Sequence, residues 1–366
     1  MSNTFGETLK VTIFGESHGT AIGAVIDGLP AGISIDWEEV RREMARRAPG
    51  SSNLATPRKE KDSFEILSGY FNGHTTGTPL AMEIRNGNQH SKDYDILKDH
   101  MRPGHADYTG FVKYGGFNDY RGGGHFSGRI TAPLTFAGAL ARQVLAGKGI
   151  YIGAHAAEIH GIKDRPFHPL GEEKSLFERL DGMKLPVVDE KAGQAMEEAI
   201  LSAQKDGDSV GGVVECMALG LPVGLGDPFF DSLESEMAHM MFSVPAVKAI
   251  EFGEGFGFAA LFGSEANDSL HYEGGNPISL TNHNGGALGG ISSGSPLLFR
   301  LAMKPTASIG KRQRTIDISK KEDTDLSIGG RHDPCIIPRA IPVIENAAAL
   351  VILDLLLTDR RNSHVG

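Results

Sequence analysis

A mixed fold in which sheets pack on helices is what this sequence predicts, and three observations predict it. Short apolar or alternating runs of strand length are interleaved with amphipathic runs of helix length along the whole chain. No repeat of solenoid length is visible, which leaves layered packing as the physical default. Hydrophobic residues make up 40% and charged residues 22% of the 366, enough apolar surface for a large core and far from the composition that keeps chains disordered.

Strands are expected at Leu9–Phe14, Ile22–Ile26, Phe64–Leu67, Leu80–Ile84, Val210–Cys216, Val247–Phe252 and Leu297–Met303. The best-marked helix opens at Asp36 as N-cap, with Glu39 three residues on, Trp37, Val40 and Met44 on one face and a stop at Pro49-Gly50. Its other face carries Arg41, Arg42, Arg46 and Arg47; a solvated, dipole-matched helix end is the plain reading, and a phosphate partner the sharper one. Further helices are expected at Pro133–Ala146, Glu190–Lys205, Leu233–Phe242 and Val343–Leu357. The polar stretch Lys163–Pro186 reads as a linker or exposed insertion.

A net charge of −10 argues against a general nucleic-acid binder, so any anionic ligand has to be held locally. Cys216 and Cys335, the two cysteines, have no metal-ligand or redox-pair spacing, so no metal site is expected and a cytoplasmic, reducing location fits. The N-terminus does not look like a signal peptide, and the longest apolar run, Ala347 to Leu357, is interrupted by Asp354 and is too short for a membrane span.

Glycine is the outlier, 48 residues in 366 and nearly twice the usual share. With arginine and histidine it concentrates in the long stretches Asn86–His105, Tyr114–Arg129, Asn282–Gly294 and Lys304–Arg339, which show neither strand nor helix periodicity. Gly15-Glu16-Ser17-His18-Gly19 presents a histidine on a sharply turned backbone; the neighbouring serine does not make a hydrolase, because no nucleophile elbow is present. Arg102-Pro103-Gly104-His105-Ala106-Asp107 puts a cation, an imidazole and a carboxylate in one turn, and His titrates near neutrality. In Arg121-Gly122-Gly123-Gly124-His125-Phe126-Ser127-Gly128-Arg129, bare glycine amides before a helix could cradle an anion. The glycine pairs of 282–294, followed by Lys304-Pro305-Thr306-Ala307-Ser308, suit a flat ring and a phosphate tail. For Gly330-Arg331-His332-Asp333-Pro334-Cys335, a structural turn and a functional site are equally compatible with the spacing. Gly255-Phe256-Gly257-Phe258-Ala259-Ala260 fits a dinucleotide fingerprint, but Gly263 interrupts the helix that should follow. A nicotinamide oxidoreductase built on it, and a non-catalytic anion-binding protein, are the alternatives to an enzyme of the glycine-histidine loops.

GESHGTAIGAVIDGLPAG from Gly15, RPGHADYTG from Arg102, GHFSGRITAPLTFAG from Gly124 and GRHDPC from Gly330, in this order, resemble the chorismate synthase family, with further agreement in GGISSG and KPTAS. The resemblance covers roughly the whole chain. It implies an α+β fold, a β-α-β sandwich with helices between two antiparallel sheets, as a single domain over 1–366, usually a homotetramer. It implies a carbon–oxygen lyase of the shikimate pathway. This lyase eliminates phosphate and a C6 proton from 5-enolpyruvylshikimate-3-phosphate with 1,4-anti geometry, giving chorismate, and depends on reduced FMN.

The same resemblance gives His18 as acid near the leaving phosphate, His105 as acid near the flavin N1 region, and Asp333 as assisting C6 deprotonation with the flavin N5. Flavin contacts carry over to His125, Phe126, Ser127, Pro245, Ala246, Gly289, Lys304, Pro305, Thr306, Ala307, Ser308 and Arg331, and substrate contacts to Arg47, Arg102 and Arg129. Departures are His125-Phe126 where many members read Arg-Ser, Pro245 where many have Asn, and Asn53 where an arginine often stands. The last weakens an NADP contact and implies reduced flavin supplied by a separate reductase.

Overall fold

The computed structural model of the chain describes residues 3–50, 54, 62–87, 96–329 and 332–359. Two five-stranded sheets form its outer layers, and every strand pair in them is antiparallel. The first runs in the order Thr4–Phe5, Lys10–Gly15, Ala21–Asp27, Leu80–Arg85, Glu65–Ser68. In Leu80–Arg85 the residues Leu80, Met82 and Ile84 are buried and their neighbours less so, the period of two that a half-covered sheet requires. The second runs Val247–Phe252, Leu297–Met303, Gly212–Leu219, Tyr151–Ile159, Ile162–Lys163.

Helices fill the space between: α1 (Trp37–Arg47), α3 (Thr131–Ala146) and α8 (Ile337–Thr358), with α6 (Leu233–Met241) packed on α8. Helix α3 touches strands of both sheets, and one continuous apolar core joins residues of all these elements. Helix α8 begins six residues earlier than its apolar pattern predicts, because Pro338 stands in its first turn and Pro342 inside it. It is long and apolar enough to cross a bilayer, but it is buried in the sandwich. Asp354, which interrupts its apolar run, accepts from the backbone N–H groups of Glu7, Thr8 and Leu9 at 2.9, 2.8 and 2.7 Å and ties the N-terminal turn to the helix. The helices α3 and α8 meet closely at Gly138, where a Cβ would stand 2.2 Å from the Asn346 carbonyl oxygen. Gly138→Ala is therefore expected to push the two helices apart and lower stability by about 1–3 kcal/mol in urea denaturation.

Two expectations need correction. The stretch 163–186 is no linker: Phe167, and Phe177 and Leu180 of α4 (Lys174–Asp181), pack on Met217 and Leu298 and cover the outer face of the second sheet. Its charges and prolines hid a two-residue apolar stripe one turn apart. The α1 arginines do not form a solvated end either. Arg41 and Arg42 are exposed, but Arg46 lies in a buried network with Glu43, Asp181 and Glu345, and Arg47 is fully buried. Arg142 completes that network, at 2.7 Å from Glu43 and 3.2 Å from Glu345. Burial pushes the Glu345 carboxyl up to about 7. At Glu43 burial also works upward, but Arg142 and Arg46 bring the carboxyl down to about 2.

The longest strand, Tyr151–Ile159, has no counterpart in the sequence reading. Its Gly153, Ala154 and Ala156 have weak strand propensity, and a Cβ on Gly153 would meet the Phe177 ring at 2.4 Å. The dinucleotide-like segment Gly255–Ala260 is a 3-10 turn followed by the four-residue helix α7 (Gly263–Ala266), so the long helix of a nucleotide fold does not follow it.

Candidate functional site

The turns at 15–19, 102–107 and 121–129 converge with Lys304–Ser308 on a cavity of about 710 Å³, in the upper part of the range for small-molecule sites, whereas the glycine-rich stretch 282–294, expected to receive a flat ring, does not line it. Its wall includes Arg47, Arg102, His105, His125, Phe126, Ser127, Arg129, Pro245, Ala246, the run Lys304–Ser308 and Asp333. Three expected residues stand differently. His18 is buried behind Ser17 and Gly122, which do line the cavity. Gly289 belongs to the small hairpin Ala287–Leu288/Ile291–Ser292, away from the cavity wall, with nothing within 4 Å of its Cβ position. Arg331 lies outside the described residues, as does Asn53.

The three glycines of 122–124 all take positive φ, 58°, 83° and 53°. Their main use is space rather than the open anion nest that consecutive bare amides suggest. A Cβ on Gly122 would lie 2.2 Å from Cε1 and Nδ1 of His18; one on Gly123 would lie 3.2 Å from Cε1 and Nε2 of His105; one on Gly124 would lie 2.0 Å from the Asp119 carbonyl oxygen. Two imidazoles far apart in sequence thus rest against successive glycines. The turn bearing His18 is docked there by one main-chain and one side-chain bond: Ser17 N donates to the Gly124 carbonyl at 3.1 Å, and His125 Nδ1 donates to the Gly15 carbonyl at 2.8 Å. The second bond fixes the His125 tautomer.

Arg102 and His105 are held from the protein side by Asp107, the first residue of α2 (Asp107–Lys113). Arg102 donates to Asp107 through Nε at 2.6 Å and a terminal nitrogen at 2.7 Å, a bidentate fork. Its other terminal nitrogen donates to Ser308 Oγ at 3.2 Å. Burial works to raise the Asp107 carboxyl, but hydrogen bonds from Arg102 and His105 hold it well below the usual carboxylate range. Lys304 Nζ bonds the Gly104 carbonyl, and Lys304 N donates to the Ala246 carbonyl at 3.0 Å, so KPTAS, RPGH and Pro245-Ala246 meet in one wall. Ala246 takes a φ of 76°, a left-handed conformation that costs a non-glycine residue about 1–2 kcal/mol. Thr306 Oγ1 is buried without a hydrogen-bond partner among the described residues, an unsatisfied hydroxyl beside a cationic wall.

At another part of the wall stand Arg47, Arg129 and Arg339. Arg47 Nε donates to Thr131 Oγ1 at 3.1 Å and its terminal nitrogens to Asp62 at 3.0 Å and the Gly128 carbonyl at 2.7 Å. Asp62 also pairs with Arg129, while Arg339 pairs with Asp333 and donates to the Arg47 carbonyl at 3.2 Å. Burial first, then the charges of Arg339 and Arg129, push Arg47 down to about 10, opposed by Asp62. It stays protonated at neutral pH, and the cluster of guanidiniums attracts anions with bidentate geometry.

The sequence reading brought out most of the charged wall but missed Asp62, Asp107 as a residue with a task, and Arg339. Asp107 lies inside the turn already singled out, so its position three residues after a polar Arg-Pro-Gly could have marked it. Asp62 and Arg339 carry no local signal, since what gives them meaning is a guanidinium on another element.

The family model for chorismate synthase matches residues 9–357. The chain is 47% identical over 357 residues to a chorismate synthase from Dehalococcoides mccartyi, covering 98% of this chain and 97% of that one. It is 43% identical over 359 residues to one from Korarchaeum cryptofilum, covering 98% of each. A crystal structure of a chorismate synthase superposes with a TM-score of 0.75 at 29% identity, over 96% of this chain and 92% of that one. With the antiparallel sandwich and the clustered histidine, arginine and glycine turns, these matches place the chain in the chorismate synthase family.

Proposed function

We propose that the cavity carries out the 1,4-anti elimination of phosphate from 5-enolpyruvylshikimate-3-phosphate, giving chorismate and inorganic phosphate, with reduced FMN bound beside the substrate. The observation that carries this reading is the placing of cationic side chains at separate parts of one cavity, Arg102 and Lys304 in one wall and Arg47, Arg129 and Arg339 in another, with His105 in the first. One such wall suits a flavin phosphate and another a substrate with two carboxylates and a phosphate. The unpartnered Thr306 hydroxyl fits a phosphate or ring oxygen brought by the cofactor, as do the donors of Lys304 and Ser308. Lys304, Pro305, Thr306, Ala307 and Ser308, with His125, Phe126, Ser127, Pro245 and Ala246, would hold it; Gly289 and Arg331 remain expectations from the family. When bound, reduced FMN supplies electron density to the substrate with no net redox change.

The chain's own residues bind, orient and move protons. Arg47 and Arg129 hold substrate anions from their wall, and Arg102 does so from the wall it shares with Lys304. His18, packed against Gly122 and 3.3 Å from Ser17 Oγ at the cavity wall, acts as the acid toward the leaving phosphate. His105, which lines the cavity beside Lys304, would exchange a proton next to the bound cofactor. Asp333, paired with Arg339, accepts the C6 proton at the cavity wall. We further propose a cytoplasmic homotetramer of single-domain subunits, served by an external flavin reductase; the continuous core and two buried free thiols fit the domain and location parts of that reading.

Anaerobic incubation with dithionite-reduced FMN and 5-enolpyruvylshikimate-3-phosphate is expected to release phosphate stoichiometrically with chorismate. Folded protein that gives no product would overturn the reading; stoichiometric NADPH consumption would favour an oxidoreductase, and flavin binding without turnover a binding protein. Lys304→Ala is expected to weaken FMN binding roughly 10- to 100-fold in a fluorescence titration, the loss of one charge-assisted contact.

A further inference from the structure

We propose that Asp107 is the positioning residue of this site: one carboxylate fixes both the His105 ring and the Arg102 fork, so that the imidazole carries its fixed proton on Nδ1 and exchanges protons at Nε2. This deepens the assignment of His105 as an acid-base group and rests on it.

The carboxylate is saturated from one side. Asp107 Oδ2 accepts from Arg102 Nε at 2.6 Å and from the Arg102 backbone N–H at 3.1 Å. Asp107 Oδ1 accepts from an Arg102 terminal nitrogen at 2.7 Å and lies 2.6 Å from His105 Nδ1. An ionised carboxylate only accepts, so the short contact to Nδ1 requires the proton to sit on that nitrogen. The Arg102 terminal nitrogen 3.0 Å from Nδ1 would donate to it only in the other tautomer, which would set a bare Nδ1 2.6 Å from an ionised oxygen with no proton between them; the shorter contact decides for Nδ1–H. Nε2 is left over Gly123, where a side chain would come within 3.2 Å. The ring is therefore anchored at one nitrogen and kept bare at the other. That is how a carboxylate behind an imidazole selects the reactive tautomer in hydrolytic triads.

Because Oδ1 serves Arg102 and His105 together, the anion-binding fork and the proton-exchanging ring cannot move independently. Ser308 holds the far side of the fork at 3.2 Å, which extends the same rigid unit to the KPTAS run. Asp107 does not line the cavity; it acts through its two partners.

The first test needs no turnover. In the ligand-free full-length protein, labelled with ¹⁵N-histidine and held at a pH where the ring is neutral, the His105 signal, assigned by its loss in His105→Gln, is expected to show Nδ1–H. A dominant Nε2–H form overturns the proposal. The second test is a double-mutant cycle read in kcat. Asp107→Asn can turn its amide N–H toward Nδ1 and favour the wrong tautomer, so kcat is expected to fall about 10²- to 10⁴-fold. Asp107→Glu should recover part of the loss. Added to His105→Ala, Asp107→Asn should lower kcat at least about tenfold less than it does alone, because the ring it positions is gone and only the Arg102 fork is left to disturb. Full additivity of the two losses, or unchanged kcat in Asp107→Asn, overturns the proposal. If the unaltered protein releases no phosphate, it is the reaction assignment that fails, and the NMR spectrum still decides where the His105 proton sits.

Discussion

Gly122→Ala should lower turnover about 10²- to 10⁴-fold while costing the fold only a few kcal/mol. The added methyl would lie 2.2 Å from two atoms of the His18 ring and 3.0 Å from Ser17 Oγ, so the imidazole has to move by more than a bond's breadth. A displacement near 1 Å at a reacting group is worth about 10²-fold, and loss of an acid-base group up to about 10⁴-fold. The left-handed backbone at φ 58° adds about 1–2 kcal/mol of strain for alanine. Two other glycines separate strain from displacement. Gly123→Ala brings its methyl only to 3.2 Å from His105 and should lose less. Gly149→Ala has φ 78° and open space around the new methyl away from the cavity, so it should show strain alone, with turnover within about threefold of the starting protein. Single-turnover phosphate release and urea denaturation on the three variants check this; normal turnover in Gly122→Ala would take the His18 placement out of the mechanism.

His155→Ala should destabilise the fold by about 3–5 kcal/mol without touching the cavity. His155 is fully buried in Tyr151–Ile159 opposite Glu215, with Nδ1 2.8 Å from Asp164 and Nε2 3.0 Å from Glu215. Asp164 also accepts from Val188 and Asp189 N–H groups at 2.6 and 2.8 Å, and Glu215 from Phe167 N–H at 2.6 Å. The imidazolium thus clamps the segment that covers the second sheet, and its removal leaves two carboxylates facing each other out of water. Burial alone would push the His155 pKa down, but the hydrogen bonds and charges of Asp164 and Glu215 raise it above the usual histidine value. A histidine raised on folding contributes fully below about pH 6.5, its unfolded value, and loses that contribution as pH rises through the folded pKa. Thermal unfolding between pH 6 and 10 should therefore show stability declining on the alkaline side, and His155→Gln should lack this part of the slope. An unchanged slope in the variant would place the pH dependence elsewhere.

The sequence marks elements whose signal is local. Asp36 and Glu39 announce α1, and Asp189 announces α5 (Glu190–Lys205); both caps accept from the first-turn amides as their residue types suggest. Strands with an apolar period, such as Val247–Phe252 and Leu297–Met303, fall where the pattern puts them. Tyr151–Ile159 and α4 escaped because their small or mixed residues are explained by each other: Gly153 leaves room for Phe177, and neither residue shows that in its own segment. The turns holding His18, His105 and the glycine run are equally visible as turns, since glycines between polar residues are a local statement about the backbone.

By itself, then, the chain's residue order determined a mixed fold with anion-seeking, histidine-bearing loops, and its four motifs carry the resemblance to the chorismate synthase family. Only the tertiary structure decided which loops share a cavity, that Arg47 is buried beside Asp62, that Arg102 reaches Ser308 across 206 positions of sequence, and that the glycines serve the imidazoles. The physical reason is that a propensity or a cap depends on neighbours within a few residues. Charge pairing and close packing depend on whatever the closed sandwich brings within a few ångströms.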